Sequence, residues 1–347
     1  MSAPAEVSPG QPAAVPPFKL MAQIAAYRTS QCIRVLVELG IPALLEQGAR
    51  PVAELAIATG TQPQPLDRVL NHLVNEDVIG RDDQGRYTAL PVTAYLAPEH
   101  PQSLRNWVAC ELDPLLWRSW ESLTDQLRCG TTAFDLTHGS AFFDWHAQDS
   151  AAQKRFDDQM NGASRGIGAV VVRELDFAPG TTLMDVGGGN GSFLAQLLEK
   201  NPGTEGLLFE LPRSIEAYDP QFEQMRQQNR ADIAKGSFFE TVPGGADIYL
   251  FSRVFHDFND DAARIILNNT KRALAGNERL FLIDMMANDA NAGARGSSQD
   301  IFMLTQLGGR ERTAEEFSHL LAETGFETLS VTPTASPVSI LEFRAAD

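Results

Sequence analysis

Cysteine is scarce in this chain: Cys32, Cys110 and Cys129 are the three in 347 residues, an odd number with no C-x-x-C spacing. That pattern fits buried thiols in a reducing compartment rather than a disulfide scaffold, so a cytoplasmic location is expected. Positive charge is also short. Against 45 Asp and Glu there are 28 Lys and Arg, a net charge of −17, which argues against a nucleic-acid backbone or an anionic membrane surface as partner. No apolar run approaches the roughly 20 residues of a membrane-spanning helix. The first 17 residues, MSAPAEVSPGQPAAVPP, lack the basic region and continuous apolar core of a signal peptide or anchor and read as a disordered Pro/Ala tail.

What the chain does have is length for two domains and, at 43% hydrophobic residues, ample material for packed cores. Its organising stretch is 181–210, TTLMDVGGGNGSFLAQLLEKNPGTEGLLFE. Leu183, Met184 and Val186 run into Gly187, Gly188, Gly189, Asn190 and Gly191. A helix-type segment then leads to a second apolar run ending in Glu210. The spacing predicts strand, glycine turn, helix, strand, the first half of a nucleotide-type α/β fold. Glycines let backbone approach a ligand closely, N–H groups at the helix start offer donors, and an acid at the second strand's tip can accept both hydroxyls of a ribose. Dinucleotide folds use G-x-G-x-x-G. Here Gly187, Gly189 and Gly191 fall as G-x-G-x-G, with Ser192 where a third helix-packing glycine would stand. With Asp185 two residues before the first glycine, the stretch resembles the first motif of S-adenosylmethionine-dependent methyltransferases.

Before this unit, helical spacing is expected over 18–39, 51–59 and 65–75, with a small β-hairpin over 78–87 around the turn DDQG. Three helices and a hairpin form a winged-helix pattern. A DNA-reading third helix would be basic, whereas PLDRVLNHLVNED has one arginine and three acids. The pattern instead resembles the N-terminal winged domain of small-molecule methyltransferases, and that resemblance implies an apolar face buried against a second copy of the chain. Residues 103–165 read as an aromatic-rich helical region, and 166–347 as α/β. In the latter, helices are expected over 219–229, 260–274 and 300–306, strands over 247–254 and 279–285, and a flexible stretch over 288–299. A further helix opens on the capping box Thr313/Glu316 and stops at Gly325. Two terminal strands, 327–332 and 338–343, predict an antiparallel hairpin on an otherwise parallel sheet.

Three loci carry the chemistry. His256, in FSRVFHDFNDD, sits just past the carboxyl end of a strand, the edge where open α/β sheets place ligands. Asp284 ends the next strand, and Glu311 lies in LGGRERTAEEF. One imidazole with two carboxylates to hold its tautomer and stabilise its positive charge is what deprotonating a phenol asks for.

HDFNDD, GGRERTAEEF and the LPRSI that follows Glu210 together resemble the signatures of plant-type, caffeate-like O-methyltransferases, and agreement extends from about residue 18 to the C-terminus. The resemblance implies a Rossmann-like methyltransferase sheet with a C-terminal antiparallel hairpin, preceded by a winged-helix dimerisation domain. The expected organisation is a tail over 1–17, a dimerisation domain over 18–102, a helical linker and acceptor-pocket region over 103–165, and a cofactor-binding catalytic domain over 166–347. The resemblance also implies S-adenosylmethionine as cofactor, a homodimer, an aromatic or polyketide-like secondary metabolite as substrate, and no metal.

Carried over, His256 is the general base, with Asp284 and Glu311 orienting it. Asp185, Gly187, Gly189, Gly191, Glu210 and Leu211 belong to the cofactor's amino-acid and ribose parts; Ser237 and Phe238 flank the adenine, with Ser252 and Arg253 near it. Phe156, Met160 and Met303 are acceptor-pocket residues. Two positions depart from the family: Ser237 stands where an Asp is usual, and Asp284 where a Glu is usual. Alternatives are an N- or carboxyl-methyltransferase on the same fold, a non-methylating relative using the pocket for proton-transfer, elimination or pericyclic chemistry, and a winged-helix regulator, which the charge disfavours.

Overall fold

The computed structural model describes residues 17–100, 102–146, 148–212, 218–287 and 293–346. The chain forms two compact units that divide between Asp113 and Pro114.

In the first unit, helices Tyr27–Glu38, Ile41–Glu46, Val52–Thr59 and Pro63–Asn75 enclose a core of Leu36, Ile41, Leu55, Leu70, Leu73, Ile79 and Tyr87. The small hairpin pairs β1 (Gly80–Arg81) with β2 (Tyr87–Thr88). The helix expected over 18–39 is interrupted at Ala26, giving Pro17–Ala25 and Tyr27–Glu38. The third winged helix turns its apolar side inward, with Leu66, Leu70 and Leu73 buried. Among the described residues, exposed apolar side chains gather instead on Pro17–Ala25, where Phe18, Leu20, Met21 and Ile24 are all more than half exposed.

The second unit is built on a seven-stranded sheet: β3 (Thr182–Val186), β4 (Glu205–Glu210), β5 (Ala231–Lys235), β6 (Ile248–Ser252), β7 (Arg279–Met285), β8 (Phe326–Pro333) and β9 (Val338–Ala345). Their order is β5-β4-β3-β6-β7-β9-β8. The first five strands in that order are parallel, while β9 runs antiparallel to β7 and β8 antiparallel to β9. Alternation along the strands feeds two cores. Leu183, Leu208, Leu250 and Ile283 pack with helix Ser192–Lys200 on one face. Met184, Phe251 and Leu282 pack with helices Asp260–Ala273 and Ala314–Glu323 on the other. Burial on both faces explains why β3, β6 and β7 read as continuous apolar runs.

The segment ADIAK, for which the sequence predicts no element, is the edge strand β5, whose half-exposed, partly polar residues carry no strong period. The helix expected from residue 300 begins at Gly293, so 293–299 is helical despite its Gly/Ser content; 288–292 lie outside the described residues. The capping box at Thr313 forms as read, with both reciprocal hydrogen bonds present.

Candidate active site

The glycine turn follows β3 directly. Gly187, Gly189 and Gly191 have φ of +73°, +59° and +83°, a region where side chains are strained. A Cβ on Gly189 would meet nothing within 4 Å, so backbone there is open to a ligand. Glu210, at the tip of β4, accepts from the Gly189 N–H at 3.0 Å and the Leu211 N–H at 2.7 Å. Gly188 was not singled out from sequence, yet a Cβ there would lie 2.3 Å from Asp185 Oδ2. Asp185 is fully buried, and neither carboxylate oxygen has a hydrogen-bond partner among the described residues. Burial, with the nearby Glu210 charge, pushes its pKa up to about 7.

Several other cofactor candidates gather beside the turn. An ideal Cβ on Gly187 would lie 3.4 Å from the Phe238 ring and 3.1 Å from Val254, so both flank the turn. Ser237 Oγ accepts from the Phe239 N–H at 3.3 Å, and the Phe238 carbonyl accepts from Asn269 at 2.9 Å. Ser252 closes β6. Arg253 takes a left-handed φ of +56°, unusual for a residue with a side chain, while its N–H donates to the Ile283 carbonyl at 2.8 Å. Of the LPRSI segment, Leu211 and Pro212 are placed and 213–215 lie outside the described residues.

His256 sits on the short turn Phe255–Asp257 at the carboxyl end of β6 and is 3% exposed. Its Nδ1 lies 3.1 Å from Glu311 Oε1 and 3.5 Å from Asp284 Oδ1; its Nε2 lies 3.4 Å from Asp257 Oδ1. The three loci picked from sequence thus converge, and Asp257 joins them. Burial alone would lower the His256 pKa, but Asp284, Asp257 and the Glu311 hydrogen bond overcome it and raise it to about 9. Burial raises Asp284 and carries Asp257 to about 6, against the lowering pull of His256 and Arg253. Glu311 Oε2 is buried without a hydrogen-bond partner among the described residues. One ligand atom from each of His256, Asp284 and Glu311 falls within 4.8 Å of the others, close enough to surround a cation.

The loop carrying Glu311 fits tightly against the histidine turn. A Cβ on Gly309 would lie 2.0 Å from the His256 carbonyl oxygen, and the Arg310 N–H donates to that same oxygen at 3.0 Å. Arg312, 1% exposed, donates to the Phe255 carbonyl at 2.8 Å, the Phe258 carbonyl at 2.9 Å and Asp260 Oδ1 at 2.7 Å. Neither Gly309 nor Arg312 was a sequence candidate. The available signal was their place in the GGRER run.

Comparison with known proteins gives this arrangement its context. Residues 120–327 match the model of an O-methyltransferase domain, and residues 21–99 that of an O-methyltransferase dimerisation domain. The chain belongs to the O-methyltransferase family. As such it is a methyltransferase. It is 35% identical over 321 residues to the mitomycin biosynthesis 6-O-methyltransferase of Streptomyces lavendulae, covering 91% of each chain. It is 31% identical to a phenazine O-methyltransferase of Lysobacter antibioticus, covering 94% of this chain and 95% of that one. A relative 28% identical over 89% of this chain and 90% of its own is an 8-amino-8-demethylriboflavin N,N-dimethyltransferase of Streptomyces davaonensis. Among solved structures, an O-methyltransferase from neocarzinostatin biosynthesis superposes with a TM-score of 0.81 at 29% identity, over 92% of this chain and 96% of that one. It was crystallised with S-adenosylmethionine and 2-hydroxy-5-methyl naphthoic acid.

In this O-methyltransferase the three pocket candidates lie on two helices. Phe156, on Ser150–Val171, packs edge-on to Phe142 with ring centroids 5.3 Å apart and lies 5.4 Å from the His146 ring. Met160, one turn along, is half-buried. Met303, on Gly293–Gln306, is buried, and its carbonyl accepts from the Gly309 N–H at 3.3 Å, which ties that helix to the loop carrying Glu311. Among the described residues no helix is long and apolar enough to cross a membrane.

Proposed function

We propose that this enzyme methylates a phenolic or enolic oxygen of an aromatic small molecule of secondary metabolism, with His256 as general base. S-adenosylmethionine is its methyl donor. The observation that carries the reading is the buried His256, held at Nδ1 by Glu311 and Asp284, with Nε2, 3.4 Å from Asp257 Oδ1, to take a proton. A phenol of pKa about 10 is almost wholly protonated near neutral pH, so a base is needed as the oxygen attacks. The surrounding carboxylates stabilise the imidazolium that results, which is the meaning of a pKa raised to about 9.

The glycine turn suits the donor. Asp185, buried with both oxygens unpartnered, matches a cationic ligand, and the open backbone at Gly189 matches close approach. Asp185, the glycines and Glu210 with Leu211 would hold the donor's amino-acid and ribose parts; Phe238, Ser237, Ser252 and Arg253 would surround its adenine. Bound there, the sulfonium supplies an electrophilic methyl group. Transfer forms the O–C bond and breaks the S–C bond, whose electron pair stays on sulfur; the phenol proton goes to His256 Nε2. Phe156, Met160 and Met303 would line the acceptor side.

The exposed apolar face of Pro17–Ala25 straddles the start of the matched dimerisation domain, with Met21 and Ile24 inside it, and supports a homodimer formed through that region. The test is a panel of phenols and enols incubated with S-adenosylmethionine and read by a 14-dalton mass gain against S-adenosylhomocysteine released. Product without stoichiometric demethylated cofactor would exclude methyl transfer. Methylation of an aromatic amine is the second reading, favoured by the N,N-dimethyltransferase relative; it would make His256 dispensable.

A further inference from the structure

We propose that Arg312 is a positioning residue, whose guanidinium clamps the turn bearing His256 at the separation from Glu311 that the base requires. This rests on the base reading of His256.

Every described side-chain hydrogen bond of Arg312 goes to one short segment of chain. Nη1 takes the carbonyl of Phe255, the residue before His256, at 2.8 Å; Nη2 takes the carbonyl of Phe258 at 2.9 Å; Nε and Nη2 both reach Asp260 Oδ1, at 3.0 and 2.7 Å. These contacts bracket His256 on both sides. The Arg312 main chain is fixed from the opposite direction, since its carbonyl accepts from the Ala287 N–H at 3.0 Å just beyond the β7 strand that carries Asp284. Glu311, the preceding residue, donates its N–H to Asp300 at 2.8 Å. One dipeptide therefore joins all three parts of the cluster. Glu311 addresses the imidazole by its side chain, and Arg312 addresses the backbone on which the imidazole stands.

A purely structural arginine is the competing account. Burying a guanidinium is costly, and apolar residues of similar volume often serve stability as well or better. What an apolar residue cannot do is bridge two carbonyls and a carboxylate with one rigid planar fork. Lysine keeps the charge and loses the fork, so Arg312→Lys separates the two accounts.

Folding is checked first by circular dichroism and thermal melting. Folded Arg312→Lys is expected to lose kcat about tenfold or more, because small misplacements of a reacting group are expensive, with donor Kd within about twofold of wild type. The His256 imidazole, followed by NMR titration of ¹³C-labelled histidine, is expected to titrate at lower pH than in wild type. Unchanged kcat together with an unchanged His256 titration overturns the inference. Should Arg312→Lys fail to fold, Asp260→Ala removes the anchor at a partly exposed position, with a smaller change in the same direction expected and no change counting against the clamp. The titration needs no turnover. An active His256→Ala would therefore remove the base reading and leave the clamp to be judged on the imidazole alone.

Discussion

The α-carbon of Gly309 faces the carbonyl oxygen of His256 so closely that a methyl group on it would lie 2.0 Å from that oxygen. The obstacle is backbone on both sides, so no side-chain rotation relieves it. Gly309→Ala must displace either the loop carrying Glu311 or the turn carrying His256. The expected result is roughly 1–3 kcal/mol of destabilisation by overpacking and about a 100-fold loss of kcat from a displaced base. Denaturant melts and steady-state kinetics measure the two; wild-type kcat in the alanine variant would contradict the close approach.

The pH dependence follows from the same cluster. In the base reading His256 must be neutral to accept a proton, and its pKa in the free enzyme is raised to about 9 because the carboxylate effects exceed that of burial. Below that value the base is protonated, so log kcat/KM should rise with slope near one and level off near pH 9 rather than near the ordinary 6.5. Asp284→Asn removes the largest raising influence and Glu311→Gln the negative charge of the Nδ1 partner, so both should move the limb to lower pH. A profile already flat above pH 7 in the wild type would refute this.

In the proposed donor site, Asp185 would link stability to donor binding. Its folded pKa, about 7, stands above the unfolded value of 3.8, so its favourable contribution is complete below pH 3.8 and is lost as pH rises through 7. The span corresponds to roughly 4 kcal/mol at most. At pH 8, ligand-free Asp185→Asn should melt above wild type and at pH 4 should not, while binding S-adenosylmethionine at least about tenfold more weakly. Melts across pH 4–8 and calorimetric titration read both effects. A pH-independent difference in Tm would contradict the assignment.

The His256, Asp284 and Glu311 atoms could surround a cation, but in the base reading the imidazole Nδ1 is committed to a proton shared with Glu311. Exhaustive chelation followed by assay in metal-free buffer should therefore leave kcat within about twofold. Loss of activity restored by one added divalent ion would assign the cluster to metal chemistry instead.

What could be read from the chain follows the range of each interaction. The glycine turn and Glu210 were legible because a short strand-turn-helix unit and an acid at the next strand tip carry the signal. His256, Asp284 and Glu311 were legible as residues past or near element ends, and the motif resemblance gave their roles. Gly309 and Arg312 were not, because what makes them matter is contact with a turn some fifty residues earlier that spacing does not encode. Gly188 was hidden for the opposite reason: its constraint is the folded-back side chain of Asp185, three residues away, which no periodicity reports. Strand β5 was missed because an edge strand half in water shows neither alternation nor a continuous apolar run, and the start of Gly293–Gln306 was missed because its Gly/Ser-rich composition reads as loop.

The proton acceptor is the centre of the account, and His256→Gln tests it most directly. Transfer of methyl to a phenolic acceptor should be followed by mass spectrometry alongside calorimetric titration of S-adenosylmethionine. The expected result is a loss of at least about 1000-fold in kcat/KM, in keeping with removal of a general base, with donor affinity unchanged within about threefold. Turnover within tenfold of wild type at unchanged donor affinity would contradict it.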